Sequence, residues 1–182
     1  MSKTVADVEE TLTHLMPQSV PAAQLNEWVM TYRRIYNSGT GIRTSTPFPG
    51  TRAALAQLHA AGAPVVIVSN KGEASVYAIL THFGMHDLVQ LVIAARDASP
   101  TKPDPRSYFE RIAPVLGPAA CEHVLVAGDT DLDILYAARI GATACWAAYG
   151  YGDPDECRPL NPEFIVASPN EIARTVCAAR PP

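Results

Sequence analysis

No run of apolar residues in this chain approaches the roughly 20 that a membrane-spanning helix needs, and Met1-Ser2-Lys3-Thr4 lacks the apolar core of a secretion signal. That excludes a membrane partner and points to the cytoplasm. Cysteine is sparse: Cys121, Cys145, Cys157 and Cys177 stand far apart, with no Cys-x-x-Cys pair and no histidine at zinc spacing. Four free thiols follow, and no structural zinc site. Positive charge is short too. The 14 Lys and Arg against 18 Asp and Glu leave a net charge of −4, and the basic residues are scattered, so no field attracts nucleic acid. His14, His59, His82, His86 and His123 are equally dispersed, and no internal repeat or low-complexity tract occurs.

What is present suits one ordinary domain with a small appendage: 182 residues, 48% of them hydrophobic. Val5, Val8, Leu12 and Leu15 fall on one helical face. A second helix runs from about Ala22 to Tyr36, with Leu25, Trp28, Val29, Tyr32 and Ile35 as its apolar stripe. Asn37-Ser38-Gly39-Thr40-Gly41 and Pro47-Phe48-Pro49-Gly50 interrupt the pattern, which divides the chain into residues 1–46 and 47–182. Gly39-x-Gly41 is no dinucleotide loop, because no strand precedes it and Thr44 stands where a third glycine belongs.

Beyond Gly50 strands and helices alternate, as in a doubly wound parallel α/β sheet. A helix holding Leu55 and Leu58 leads to the strand Pro64–Val68. A helix with Val76, Ile79 and Leu80 leads to Val89–Ile93, and a helix from Arg106 to Leu116 leads to Val124-Leu125-Val126-Ala127. A further helix holds Ile134, Leu135 and Ala138. Ala142–Trp146, Phe164–Val166 and a helix near Pro169–Ala178 complete the series.

Three polar clusters follow the strands. Ser69-Asn70 comes after Val68, with a hydroxyl and helix-start N–H groups able to hold an anion; taken alone, turn and cap chemistry is the plainer account of the pair. Lys102 sits on the stiff loop Pro100–Pro105, where a solvated lysine is the plainer account. Asp129 ends a strand and Asp133 opens a helix at the sheet edge where α/β proteins bind ligands. Oxygen ligands there suit Mg²⁺, which keeps several waters and needs one or two carboxylates beside a phosphate. The same acids serve as helix caps in the plainer reading. Asp129-x-Asp131-x-Asp133 is not an EF-hand loop, since Ile134 and Ile140 occupy its glycine and glutamate positions.

Taken in order, Ser69-Asn70, Lys102-Pro103 and Gly128-Asp129-x-x-x-Asp133 resemble the second, third and fourth motifs of the haloacid dehalogenase superfamily. Pro47-Phe48-Pro49-Gly50, Gly150-Tyr151-Gly152 and the leading helical pair resemble its phosphoglycolate phosphatase branch. The resemblance implies a Rossmann-like core with a helical cap and a small phosphorylated metabolite as partner. It also implies phosphate binding by Ser69, Asn70 and Lys102, Mg²⁺ on Asp129 and Asp133, and catalytic roles for Lys102 and Asp129. A response-regulator receiver fits poorly, because Lys102 precedes Asp129.

The family's nucleophile motif, Asp-x-Asp-x-Thr after a central strand, has no counterpart. Asp7-Val8-Glu9-Glu10-Thr11-Leu12 comes nearest, but only Val5 and Ala6 precede it and a helical period runs through it. Removing a central strand leaves two facing edges about 10 Å apart, to be filled or closed, and open to self-association. Two functions are consistent with this: a phosphatase by descent with little or no turnover, or a non-catalytic protein retaining the phosphate and metal pocket. A chain cut from a longer reading frame would account for the same gap.

Overall fold

The computed structural model describes residues 12–13, 15–16, 20–95, 100–117 and 121–179. In chain order its main elements are α1 (Ala22–Ile35), α2 (Thr51–Ala60), β1 (Val66–Gly72), α3 (Glu73–His82), β2 (Leu91–Ala95), β3 (Leu125–Gly128), α4 (Asp131–Ile140), β4 (Thr143–Ala147), β5 (Phe164–Val166) and α5 (Pro169–Ala179). The Asp7 string and most of the first expected helix lie outside the described residues. No helix among the described residues is long and apolar enough to cross a membrane.

All strand pairs are parallel, as the alternation of strands and helices requires. They form two sheets, β1-β2 and β3-β4-β5. No hydrogen bond joins β1 to β3 among the described residues. The two sheets nevertheless share a core. Ile93, Tyr108, Ile112, Tyr136 and Ile140 are buried together, with Val66 and Val68 of β1 and Val124 and Val126 of the β3 segment packed on them. Elsewhere α2 and α5 meet through Ala54, Leu58 and Ala173, while Ile134, Ala137 and Trp146 seal α4 onto β4.

The burial profile runs opposite to that of a complete parallel sheet, whose inner strands are the most enclosed. Val92, Ile93 and Ala94 of β2 are 3–5% exposed, as is Ala144 of β4, with Cys145 and Trp146 at 1% and 2%. β1 has no fully buried residue, and Ala127 in the middle of β3 is exposed. Among the described residues β1 and β3 are not paired with each other.

Three local departures from expectation have physical causes. β1 runs on through Ser69-Asn70-Lys71 to Gly72 instead of ending at Val68. Its pairing jumps from Ser69↔Ala94 to Gly72↔Ala95, so Asn70 and Lys71 bulge out of the ladder. The helix expected from Arg106 to Leu116 spans those residues, but its middle, Tyr108–Ile112, is wound as a wide π-type turn before Ala113–Leu116. Pro114 lacks the N–H that would continue it, and its ring crowds the carbonyl of Glu110. On α1 only Val29 of the apolar stripe is buried, with Tyr32 and Ile35 at 45% and 52% exposure.

Candidate functional site

The bulge in β1 aims Asn70 across the sheet end. Its side-chain amide donates to the Lys102 carbonyl at 3.1 Å and accepts from the Lys102 N–H at 2.8 Å. An asparagine amide used this way substitutes for a strand peptide, and it fixes the backbone of Lys102 against the end of β1. Ser69 Oγ accepts from the Lys71 N–H at 3.1 Å. Expected at the start of a helix, Ser69 and Asn70 lie in the strand instead, and α3 begins after Gly72 with no side-chain cap.

From that anchored backbone the Lys102 ammonium donates to Asp133 Oδ1 at 2.5 Å. Asp133 is 5% exposed, and its second oxygen accepts from the Thr130 N–H at 3.0 Å and the Thr130 hydroxyl at 2.9 Å. Asp133 thus closes the first turn of α4 as the acidic member of a capping box while it holds the lysine. The cap reading of these acids and the site reading both describe the same carboxylate. Gly128 is required beside it, because a Cβ there would occupy the space of the Asp133 carboxylate.

Asp129 is held separately, by the loop after β4. Its Oδ2 accepts from the Tyr151 N–H at 2.8 Å, and its carbonyl accepts from Trp146 Nε1 at 3.0 Å. A Cβ on Gly150 would strike the Asp129 carboxylate, and one on Gly152 would strike its carbonyl. Gly150-Tyr151-Gly152 is therefore a collar shaped to Asp129, and its tight glycine spacing was the signal for it in the sequence. The structure links Asn70, Lys102 and Asp133 directly. Ser69 adjoins Asn70, and Asp129 lies one residue before Thr130, but neither has a hydrogen bond to Lys102 or Asp133.

Among the described residues no group of three or more His, Cys, Asp or Glu is arranged to hold a metal ion. The donor chemistry nevertheless suits a hard divalent cation, since Asp129 and Asp133 offer only carboxylate oxygens. Between them in sequence, Asp131 Oδ1 is a buried carboxylate oxygen with no hydrogen-bond partner, the kind of group that calls for a cation or water.

A family profile described as haloacid dehalogenase-like hydrolase matches residues 3–147. The chain is 30% identical over 146 residues to a phosphoglycolate phosphatase of Neisseria gonorrhoeae, covering 80% of this chain and 61% of that protein. It is 26% identical over 145 residues to the pyrophosphatase PpaX of Halalkalibacterium halodurans, covering 80% of this chain and 66% of that protein. It thus spans about three fifths of the gonococcal relative. A crystal structure of a haloacid dehalogenase-like hydrolase from Bacteroides fragilis superposes with a TM-score of 0.80 at 22% identity, over 93% of this chain and 79% of that one. A phosphoglycolate phosphatase assigned by prediction in Haemophilus somnus gives 0.78 at 21% identity, over 90% and 71% of the two chains. These structures share the chain's fold, and by the profile match this chain belongs to the haloacid dehalogenase-like hydrolase family.

Proposed function

We propose that the mouth formed by Ser69, Asn70, Lys102, Asp129 and Asp133 binds the phosphoryl group of a small phosphomonoester, a phosphoglycolate-like metabolite, together with Mg²⁺. One observation carries this reading: Lys102 is bonded through its backbone to the end of β1 and through its ammonium to Asp133 at the start of α4. Residues from two sheets and a distant loop are thereby collected at one place. Similarity to phosphoglycolate phosphatases supports the substrate class.

In this reading the Ser69 hydroxyl and the Asn70 amide donate to phosphoryl oxygens, and Lys102 offsets the charge that grows on them. Asp129 and Asp133 would hold Mg²⁺, which supplies Lewis-acid stabilisation of the same oxygens. α1 and the turn after it, within residues 1–46, act as part of a cap over the core that follows. Displacement at phosphorus through an aspartyl-phosphate needs an attacking carboxylate. Among the described residues no Asp-x-Asp-x-Thr follows a strand, so the expected outcome for this chain is binding with little or no turnover.

Calorimetric titration of inorganic phosphate with Mg²⁺ tests the reading. Binding that Lys102→Met or Asp129→Asn weakens at least tenfold is the expected result, and no binding by the intact chain overturns it. Hydrolysis of p-nitrophenyl phosphate separates the two functional classes. A rate abolished by Asp129→Ala makes the chain an enzyme, whereas binding without hydrolysis makes it a non-catalytic phosphate-binding protein.

A further inference from the structure

Lys71, the second residue of the β1 bulge, has no part in the phosphate cradle described above. Its ammonium donates to the Tyr36 hydroxyl and lies 4.5 Å from the centroid of the same ring. No carboxylate among the described residues pairs with it. A phenol and a π face are weak, uncharged partners for an ammonium, and a carboxylate or phosphate outcompetes them.

Tyr36 is itself built into place from the helical side. It stacks on Tyr32 with ring centroids 5.8 Å apart, and its ring fills the space that a Cβ on Gly41 would need. Burial of the phenol opposes its ionisation, but the Lys71 ammonium and the Ser45 hydroxyl outweigh that effect and hold its pKa below the usual tyrosine value. Beside the ring is a cavity of about 60 Å³ lined by Tyr36, Ile42, Ala74, Ser75, Ala78 and Ile79. The N–H of Lys71 binds the Ser69 hydroxyl, so the ammonium and the phosphate-binding hydroxyl spring from the same turn of backbone.

We propose that Lys71, aimed by Tyr36, is the specificity-determining residue for the end of the substrate opposite its phosphate, where it takes a carboxylate. The assignment rests on the phosphate-binding reading and extends it. The substrate it selects is a short molecule with two anionic ends. The phosphoryl group lies against Ser69, Asn70 and Lys102, and the carboxylate replaces the Tyr36 phenol as the partner of Lys71.

The test compares 2-phosphoglycolate with ethyl phosphate, which matches it in length but lacks the carboxylate. Both are titrated calorimetrically in Mg²⁺ into the intact chain, Lys71→Met, Lys71→Arg and Tyr36→Phe. Lys71 is exposed, so the fold survives its replacement, and a thermal melt of each variant checks this. The intact chain should prefer 2-phosphoglycolate by about tenfold or more, as expected for one added charge-assisted contact. Lys71→Met should erase that preference while leaving ethyl phosphate unchanged, Lys71→Arg should keep it in part, and Tyr36→Phe, which removes the competing hydroxyl but keeps the ring beneath the ammonium, should not lower it. Equal affinity of the intact chain for both ligands overturns the role of Lys71 alone, as does a Lys71→Met variant that weakens both equally. If neither ligand binds, the phosphate-binding reading falls first and this inference with it.

Discussion

Asp133 accepts the Lys102 ammonium at 2.5 Å with 7% of its own side chain and 16% of the lysine's exposed, and this enclosed ion pair ties the Lys102 loop to α4. Breaking such a pair by removing one partner costs about 3–5 kcal/mol. Asp133→Ala should lose that much in urea-induced unfolding, because the capping box of α4 goes with it. Lys102→Met should lose less, since Thr130 still satisfies one oxygen of the remaining carboxylate. Equal losses, or none, would show that the pair does not hold the loop.

Gly150 and Gly152 leave the space that Asp129 occupies. Gly152→Ala puts a methyl group against the Asp129 carbonyl, which is backbone and cannot turn aside. It should destabilise the chain by about 1–3 kcal/mol, the range for overpacking, and weaken Mg²⁺ binding. Gly150→Ala meets the carboxylate, a side chain free to rotate, so it should cost less stability but should also displace Asp129. Magnesium titration and thermal melts of the two variants would separate these effects.

Beneath the site the hydroxyls of Ser107 and Tyr136 are hydrogen-bonded at 2.9 Å, with Ser107 1% exposed and Tyr136 1% exposed. Ser107→Ala strands the phenol, at a cost of about 1–3 kcal/mol, whereas removing both hydroxyls is nearly neutral by comparison. In a double-mutant cycle, Ser107→Ala with Tyr136→Phe should therefore cost less than the sum of the single changes. Strict additivity would mean that the bond contributes nothing.

The four thiols should react in two classes. Burial raises the Cys145 and Cys157 thiols from 9.0 to about 11, with nearby acidic groups adding to the effect. Cys121 and Cys177 are partly exposed, so at pH 8 iodoacetamide should label these two first and reach all four only after denaturation. The same shift sets the sign of the pH dependence. The folded state keeps its thiol protons while the unfolded chain loses them, so stability holds below about pH 9 and falls as the pH rises toward about 11. Cys145→Ala should flatten part of that decline.

The strands and their order were legible in the sequence, because short continuous apolar runs bounded by glycine and proline have few alternatives in a parallel sheet. Phe164–Val166 matches its expected limits, and Leu125–Gly128 differs by one residue at either end. Periodicity could not show the bulge that carries Asn70 and Lys71 past the end of the ladder, since strand pairing is a long-range property. Nor did it show that the apolar stripe of α1 stays largely uncovered, because a stripe specifies a face without specifying what packs there. Ser69, Asn70, Lys102, Asp129 and Asp133 were singled out as candidates by their order along the chain. Gly150-Tyr151-Gly152 was legible as a motif but not as a collar around Asp129, and no role for Lys71 was legible, because these depend on close approach of backbone to Asp129 and on contact with Tyr36.

Among the described residues β1 and β3 share no ladder, so the two sheets meet there through side chains. Amides of β3, where Ala127 is exposed, should therefore exchange with solvent before those in the buried interior of β2 and β4. Because Ile93 packs with Tyr136 and Ile140 across this junction, the two sheets should nonetheless melt as one unit.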